Sequence, residues 1–266
     1  MAKRAAAGQG GSIRARNEAR ILVAAEAVFA EAGFQGATTA AIAARAKLPK
    51  ANLHYYFGTK RALYRAVLAN ILDLWLGALD AIDRERHPAE ALDDYVRGKM
   101  YWSRNRPNAS KVFANEILHG APQLGGYLAN DLRRRVAQKA AVFKHWASRG
   151  LMAPVDPVHL LFNLWAMTQH YADFEVQVRA VLGRKRLSDA DFAAATDTIV
   201  RMTLAGCGVV RDFRSLPHAV GEVAGGRRGS PRGLSYQNHV GSPPPLRGTS
   251  PAKLGRKVRQ GLSKSP

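Results

Sequence analysis

Residues 38–57, TTAAIAARAKLPKANLHYYF, constrain this chain more than any other stretch. The pattern predicts a short helix opened by Thr and running to Arg45 and Ala46. A tight turn follows at Lys47-Leu48-Pro49. A second short helix then carries Lys50, Asn52, His54, Tyr55 and Tyr56. Two helices joined by three or four residues form a helix-turn-helix, the unit that sets its second helix in the DNA major groove. Leu53 and Phe57, four apart, are expected to face a core. Lys50, Ala51, Asn52, Tyr55 and Tyr56 can then face outward, and His54 can do either. Lys and Asn can donate to base edges or phosphate, and Tyr hydroxyls reach phosphate. For Tyr56, packing under the next helix is an equal alternative.

The charge supports this reading by its placement. The formal net charge is +20 over 266 residues, split as +8 in residues 1–65, +3 in 66–210 and +9 in 211–266. A basic head holding a helix-turn-helix is the electrostatic footprint of DNA binding. Residues 1–15 read as a flexible basic arm. From Arg16 a helical period appears, with Ile21, Ala25, Val28 and Phe29 on one face and Gly33 as its C-terminal cap. Thr38 or Thr39 caps the next helix, and that N-terminus can hold a DNA phosphate. Thr59 caps a long linking helix with a core stripe of Leu63, Val67, Ile71 and Leu74, running on through Trp75 and Leu79. Lys60 in its first turn opposes the helix dipole, which points to an outside anion such as a backbone phosphate.

The remainder reads as helices. They cover about 89–103, a shorter run through Val112 and Ile117, and a long helix to Arg149. Another, N-capped by Asp156 with Pro157 first, reaches Gly183; the last runs from Ser188 or Asp189 to Gly206. No strand pattern competes. The expected fold is all-α, with domains at 16–65 (three-helix DNA-binding head) and 66–208 (helical ligand-binding and dimerisation domain). The Gly-, Pro-, Ser- and Arg-rich tail, 209–266, cannot bury enough surface to order itself. It is either inert or a source of salt-sensitive DNA affinity.

Cys207 is the single cysteine, which suits a reducing cytosol and excludes an internal disulfide. No apolar run precedes Ile21, so no signal peptide is expected, and no uninterrupted apolar run of ~18 residues suggests a membrane span. A cytoplasmic location follows. No cofactor is expected. His170 and Asp173, three apart, are too few for a metal site and read as a hydrogen-bonded pair. Nothing resembles a nucleophile–base set, so the chain is not read as an enzyme. The rival classes are a helical ligand-binding protein or enzyme without specific DNA binding, and a nonspecific architectural DNA binder.

With Gly33-Phe34, Thr38-Thr39 and NLHYYFGTKRALYRAVL in view, residues 17–65 resemble the DNA-binding domain of the TetR family of bacterial repressors. Lys47 stands where that family commonly has Gly, and Pro49 where a small hydroxylated residue is common. ILDLWLGAL, SRNRPNAS, NEILHGAP, LMAPVDP and NLWAMTQHYADF extend the likeness over most of residues 17–206, toward the family's pyrimidine-utilisation branch; Trp102 and Asn115 depart from it. The resemblance implies operator DNA as partner and a homodimer whose last two helices form a four-helix bundle with their mates. It also implies a small-molecule effector, uracil or thymine in that branch, held in the second domain.

In that light Trp165 and Gln169, four apart on one helix face, suit a flat imide. An indole stacks on the ring, and a carboxamide offers donor and acceptor together. Trp75 can close the other side, with Ser103 and Asn115 adding polar contacts. The alternative is that both Trp residues are core and Gln169 caps a buried carbonyl.

Overall fold

The structure is a computed structural model that describes residues 3–209, with side chains from Ile13 onward. The predicted tail beyond Val209 lies outside the described residues. Those described are helical and loop-connected, with no strand among them.

The first helix, α1, spans Lys3–Gly36, so the segment read as an arm is a helical extension; Ala5-Ala6-Ala7 are the best helix formers. Gly33, at φ 66° and ψ 176°, breaks its regularity one turn from the end; the positive φ suits glycine, but this is a kink and not the left-handed helical cap expected. The helix-turn-helix follows as α2 (Thr39–Ala46) and α3 (Lys50–Phe57). Thr38 is the N-cap of α2, its hydroxyl accepting from the Ala41 N–H. Pro49 sits one position earlier than its preferred place in a first turn, as the N-cap of α3. The linking helix α4 (Lys60–Leu79) is capped by Thr59 through the Ala62 N–H.

By length and composition alone α4 could cross a membrane, at a mean hydropathy of 1.4, although no uninterrupted apolar run foretold it. Its apolar residues have another use: Leu63, Tyr64, Val67, Leu68, Ile71 and Leu72 are buried in the protein.

The second domain begins with α5 (Pro88–Asn105) and α6 (Pro107–Leu118), each with proline in its first turn. The long helix expected up to Arg149 is wound unevenly. A three-residue α7 (Gly125–Tyr127) leads into a π-turn, Leu128–Leu132, and then α8 (Arg133–Ser148). Gly125-Gly126 makes a weak start for it. Asp156 caps α9 (Pro157–Asp173) by accepting from the Val158 and His159 N–H groups.

The helix expected to run unbroken to Gly183 instead stops at Phe174 (φ −111°, ψ 29°) and restarts as α10 (Glu175–Leu182). The break sets Asp173 and Glu175 against α5 and α6. A capping box between Ser188 and Asp191 opens α11 (Asp189–Gly206).

Two apolar cores result. The first packs Ile21, Ala25, Val28 and Phe29 against Ile42, Leu53, Leu63, Val67 and Ile71. Phe29, Phe34 and Tyr64 form a ring cluster within it, with centroids 4.8 and 4.9 Å from Tyr64. Fully burying one such aromatic ring contributes about 1.5–3 kcal/mol. This core is not closed by the head alone: Ala109 and Val112 of α6, then Ala121 and Leu124, complete it. The second core gathers Leu92, Tyr95, Val96, Phe143, Trp146, Leu161, Leu164, Ile199 and Leu204. Helix α4 serves both, with Leu63 to Leu72 in the first and Leu79 in the second.

Candidate DNA interface and effector site

In the head, the turn of the helix-turn-helix is pinned from behind. Arg20 of α1 donates to the carbonyls of Ala46 (2.7 Å) and Lys47 (3.3 Å). Lys47 itself holds the left-handed conformation, φ 53° and ψ 46°, that closes α2. Leu53 is buried and Phe57 packs on the same core, so α3 is oriented as expected. Its outer face presents Lys50, Ala51, His54 and Tyr55 as exposed residues, with Asn52 half-buried. Tyr55 is 73% exposed and edge-packed on Tyr56 at 5.1 Å. The Arg14 guanidinium lies 5.8 and 5.9 Å from the two tyrosine rings, adding an α1 cation to the same surface.

Three expected DNA contacts are placed otherwise. Tyr56 packs on the head core and its hydroxyl accepts from Asn17 Nδ2 at 3.2 Å, so the packing alternative holds. His54 is exposed, but its Nδ1 is engaged with the Gly58 carbonyl at 3.0 Å. Lys60 turns inward: its ammonium donates to the carbonyls of Phe34 (2.9 Å), Gln35 (3.3 Å) and Ala37 (3.0 Å) and sits 4.7 Å from the Phe34 ring. What compensates Lys60 is therefore a set of carbonyl dipoles at the end of α1 and just past it. A helix end supplies that partial negative charge from within. Thr38 is exposed with its hydroxyl occupied as a cap, and Thr39 is half-buried beside it. Exposed Arg16, Lys47 and Arg61, which were not among the expected DNA contacts, join Lys50 as head cations whose side chains bond no described residue.

In the second domain, a polar cluster forms where α4, α5, α6 and α9 converge. Lys99 of α5 is 3% exposed, and its ammonium lies 4.3 Å from the centroid of the Trp75 ring. Burial pulls its pKa down to about 7, against the opposing field of Asp173. Asp173 at the end of α9 is pushed up by burial, while Ser110, Lys99, Lys111 and His170 hold it back. Ser110 Oγ approaches the carboxylate and favours its charge. Even so, neither Ser110 Oγ nor Asp173 Oδ1, both buried atoms, completes a hydrogen bond of ordinary geometry. His170 stacks on Phe174 at 5.0 Å instead of bonding Asp173, which corrects the expected pair. No metal-ligating group of three or more side chains occurs among the described residues.

The residues expected to form the effector site are divided by this arrangement. Trp75 belongs to it, edge-packed on Phe113 at 4.5 Å. Ser103 lies one turn beyond Lys99 and donates to the Thr168 carbonyl at 2.7 Å, tying α5 to α9. Gln169 is half-buried on α9, one turn before Asp173, and bonds no described residue. Trp165 belongs elsewhere. Its indole N–H donates to the Tyr95 hydroxyl at 2.8 Å and its ring packs on the second core, whereas Trp75 packs on the first. Asn115 is half-buried on α6, and its side chain bonds no described residue. Two clefts, of about 420 and 500 Å³, lie apart from these residues, on α8 and between α5 and α11. Lys99 and Ser110 were missed because each is a lone polar residue with no partner nearby in sequence, and Asp173 was read only as a partner of His170.

The cluster and the head share α4 and α6. At one end of α6 sit Ser110 and Lys111, the latter paired with Glu175 of α10 at 3.1 Å. On its other face Glu116 accepts from the N–H groups of Gln123 (2.5 Å) and Leu124 (3.2 Å). Glu116 also faces the Tyr64 phenol, which burial and this carboxylate push above its ordinary range. Arg106, between α5 and α6, pairs with buried Glu26 of α1 and reaches Asn70 of α4 at 3.3 Å. Arg65 of α4 donates to Gln123 at 2.8 Å.

Comparison with known proteins agrees with this two-part plan. Residues 21–67 match the model for bacterial regulatory proteins of the tetR family, and residues 68–210 match that for the C-terminal region of YcdC-like proteins. The chain is 42% identical to the HTH-type transcriptional regulator RutR of Escherichia coli K12 over 186 residues, covering 70% of this chain and 88% of the relative. The same identity and coverage hold for RutR of Shigella flexneri. Among solved structures, a tetR-family regulatory protein from Rhodococcus RHA1 superposes with a TM-score of 0.58 at 21% identity, covering 73% of this chain and 98% of that one. AibR, solved with isovaleryl coenzyme A and operator DNA, gives 0.55 at 19% identity, covering 70% and 97%. These two establish the fold alone. The relatives are named as regulators, not enzymes. By its family models and its kinship with RutR, this chain belongs to the TetR family of bacterial transcriptional regulators.

Proposed function

We propose that the chain acts as a homodimeric, cytoplasmic repressor that leaves its operator when a small nitrogenous ring compound of the pyrimidine type binds the second domain. The observation that carries this reading is the sharing of α4 and α6. Both contribute to the core of the DNA-reading head, and both border the buried Lys99–Asp173 cluster. The likeness to RutR supports the pyrimidine class.

The mechanism is a two-state tilt. From Lys60 to Trp75 the helix spans about 22 Å at 1.5 Å per residue. A tilt of about 5° at the effector end therefore moves the head by about 2 Å. Two recognition helices must sit ~34–36 Å apart to enter successive major grooves. A ligand that prefers the tilted state weakens operator binding by its differential affinity for the two states, and by no more. The Arg106–Glu26 pair and the α6 lid on the head core transmit the same movement.

The unpartnered apolar face supports the dimer. Phe162 and Met202, 47% and 61% exposed, lie on α9 and α11. Exposed apolar side chains on these two helices would be covered in a bundle with a second copy. Mobility-shift titration of the upstream intergenic DNA with uracil and thymine tests the reading. Release at micromolar ligand is expected. Unchanged binding across the panel refutes the pyrimidine class, and light scattering that gives a monomer refutes the dimer.

A further inference from the structure

We infer that the cleft of about 420 Å³ on α8 is a second ligand site, built for a small organic phosphate monoester and separate from the effector site above. Its lining is Arg84, from the connection between α4 and α5, with Ala141, Val142, Lys144, His145 and Ser148 of α8.

Positive charge is gathered here with little to balance it. Residues 133–149 hold six Lys/Arg and no Asp/Glu; the rest of 66–210 holds twelve Lys/Arg against fifteen Asp/Glu, a net −3. Some of these cations are occupied. Arg134 pairs with Asp131 at 2.6 Å, and Lys139 donates to the Ile82 carbonyl at 2.9 Å. Arg84 and Lys144 are not: both are exposed, and neither side chain bonds a described residue. Lys144 feels the field of Asp156, but that carboxylate already accepts from the Val158 and His159 N–H groups. The half-buried His145 ring likewise has no hydrogen-bond partner among the described residues.

Shape and charge together choose the ligand. Two unpaired cations match a phosphate monoester, which carries about −1.5 to −2 at pH 7, better than a carboxylate with a single charge. Arg84 offers a guanidinium fork and Lys144 a point charge, a pair suited to phosphate oxygens. In the same lining Ala141 and Val142 give an apolar floor for the organic part. The volume falls within the range of small-molecule sites, about 300–1,000 Å³. Operator DNA is not the occupant, because the cleft lies past the far end of α4, whose 20 residues run about 30 Å from the head. The Trp146 indole N–H donates to the Arg84 carbonyl at 3.3 Å, so the backbone there already rests on α8. A phosphate held by Arg84 and Lys144 adds a second tie at the end of α4, the helix that reaches the head.

Calorimetric titration of the full chain with phenyl phosphate, inorganic phosphate and benzoate tests this. Phenyl phosphate should bind best, with inorganic phosphate weaker by at least about threefold for want of a ring on the apolar floor. Arg84→Gln and Lys144→Gln should each weaken phenyl phosphate by about 3- to 10-fold; solvent screening keeps this below the loss at a buried site. Ala141→Asp, which places a carboxylate on the floor, should remove binding at millimolar ligand. All three positions are exposed, so folding is not at stake, and Arg61→Gln in the head is the control. Hydrogen exchange across residues 80–87 should slow when phenyl phosphate binds. Failure of phenyl phosphate to bind at millimolar concentration overturns the site, as does binding that ignores Arg84 and Lys144 or follows Arg61. Benzoate as tight as phenyl phosphate overturns the phosphate class, and inorganic phosphate as tight overturns the organic part. Unchanged exchange overturns the tie. Weaker binding of unrelated duplex DNA by Arg84→Gln and Lys144→Gln overturns the small ligand in favour of a nucleic-acid surface.

Discussion

Replacing Lys60 by Met separates two roles that a basic residue in a DNA-binding head can play. In the structure its ammonium holds three carbonyls, of Phe34, Gln35 and Ala37. Two of these bonds, at 2.9 and 3.0 Å, are well formed. The third, to the exposed Gln35, is long, and water can replace it. A hydrogen bond to a charged group contributes about 1.5–3 kcal/mol, and such bonds sharing one donor do not add fully. The contact with the Phe34 ring adds about 0.5–1 kcal/mol, part of which the Met side chain retains. The expected loss is about 2–3 kcal/mol, or a fall in melting temperature of about 5–10 °C for a chain of this size.

Urea unfolding followed by circular dichroism measures the loss. The salt dependence of operator affinity measures the other role. Each phosphate contact adds about 0.9 to the slope of log K against log salt, so one contact per protomer of a dimer would add about 1.8. The clamp predicts an unchanged slope in the variant. Unchanged stability together with a slope reduced by about 1.8 would refute the clamp and restore Lys60 as a phosphate ligand.

Other perturbations follow from the same geometry. Lys47→Gly should stabilise the chain by about 0.5–1 kcal/mol, since a left-handed L-residue costs about 1–2 kcal/mol and the freer unfolded chain returns part of it; a lower urea midpoint contradicts this. Glu26→Gln should cost about 3 kcal/mol by stranding the Arg106 charge at a largely buried site, seen as a drop in unfolding free energy; a change under about 0.5 kcal/mol means the pair is idle. Lys99→Met should stabilise the protein at pH 7. The unfolded lysine keeps its proton up to its ordinary 10.5, while the folded one loses it near 7, so wild-type stability rises with pH in that window. The advantage of the variant should therefore shrink by at most about 1.4 kcal/mol per pH unit between pH 7 and 9, and a pH-independent gap contradicts the burial.

What the sequence revealed was local, and what it concealed was distant. Thr38, Thr59, Asp156 and Ser188 could be read as caps because each bonds a backbone N–H two or three residues on. Leu53 was legible by spacing within one helix. Lys60 was misread because its partners lie 23 to 26 residues earlier, at the end of another helix. Trp165 and Trp75 looked like two walls of one site, yet the indole N–H of Trp165 is drawn to Tyr95, seventy positions away. Lys99 carried no signal, because a single lysine in a helix ordinarily marks a solvated face. The helix break at Phe174 has no glycine or proline to announce it; it shows only once Asp173 and Glu175 are seen against Lys99 and Lys111.

The α6 lid also bears on how such proteins can be recombined. Ala109, Val112, Ala121 and Leu124 are part of the head's own interior. A chimera that joins residues 1–67 to the sensor of another regulator would inherit a foreign roof on that interior. New pairings of reader and sensor would then succeed only where the borrowed roof matches the head it must cover, or where residues 107–124 travel with the head.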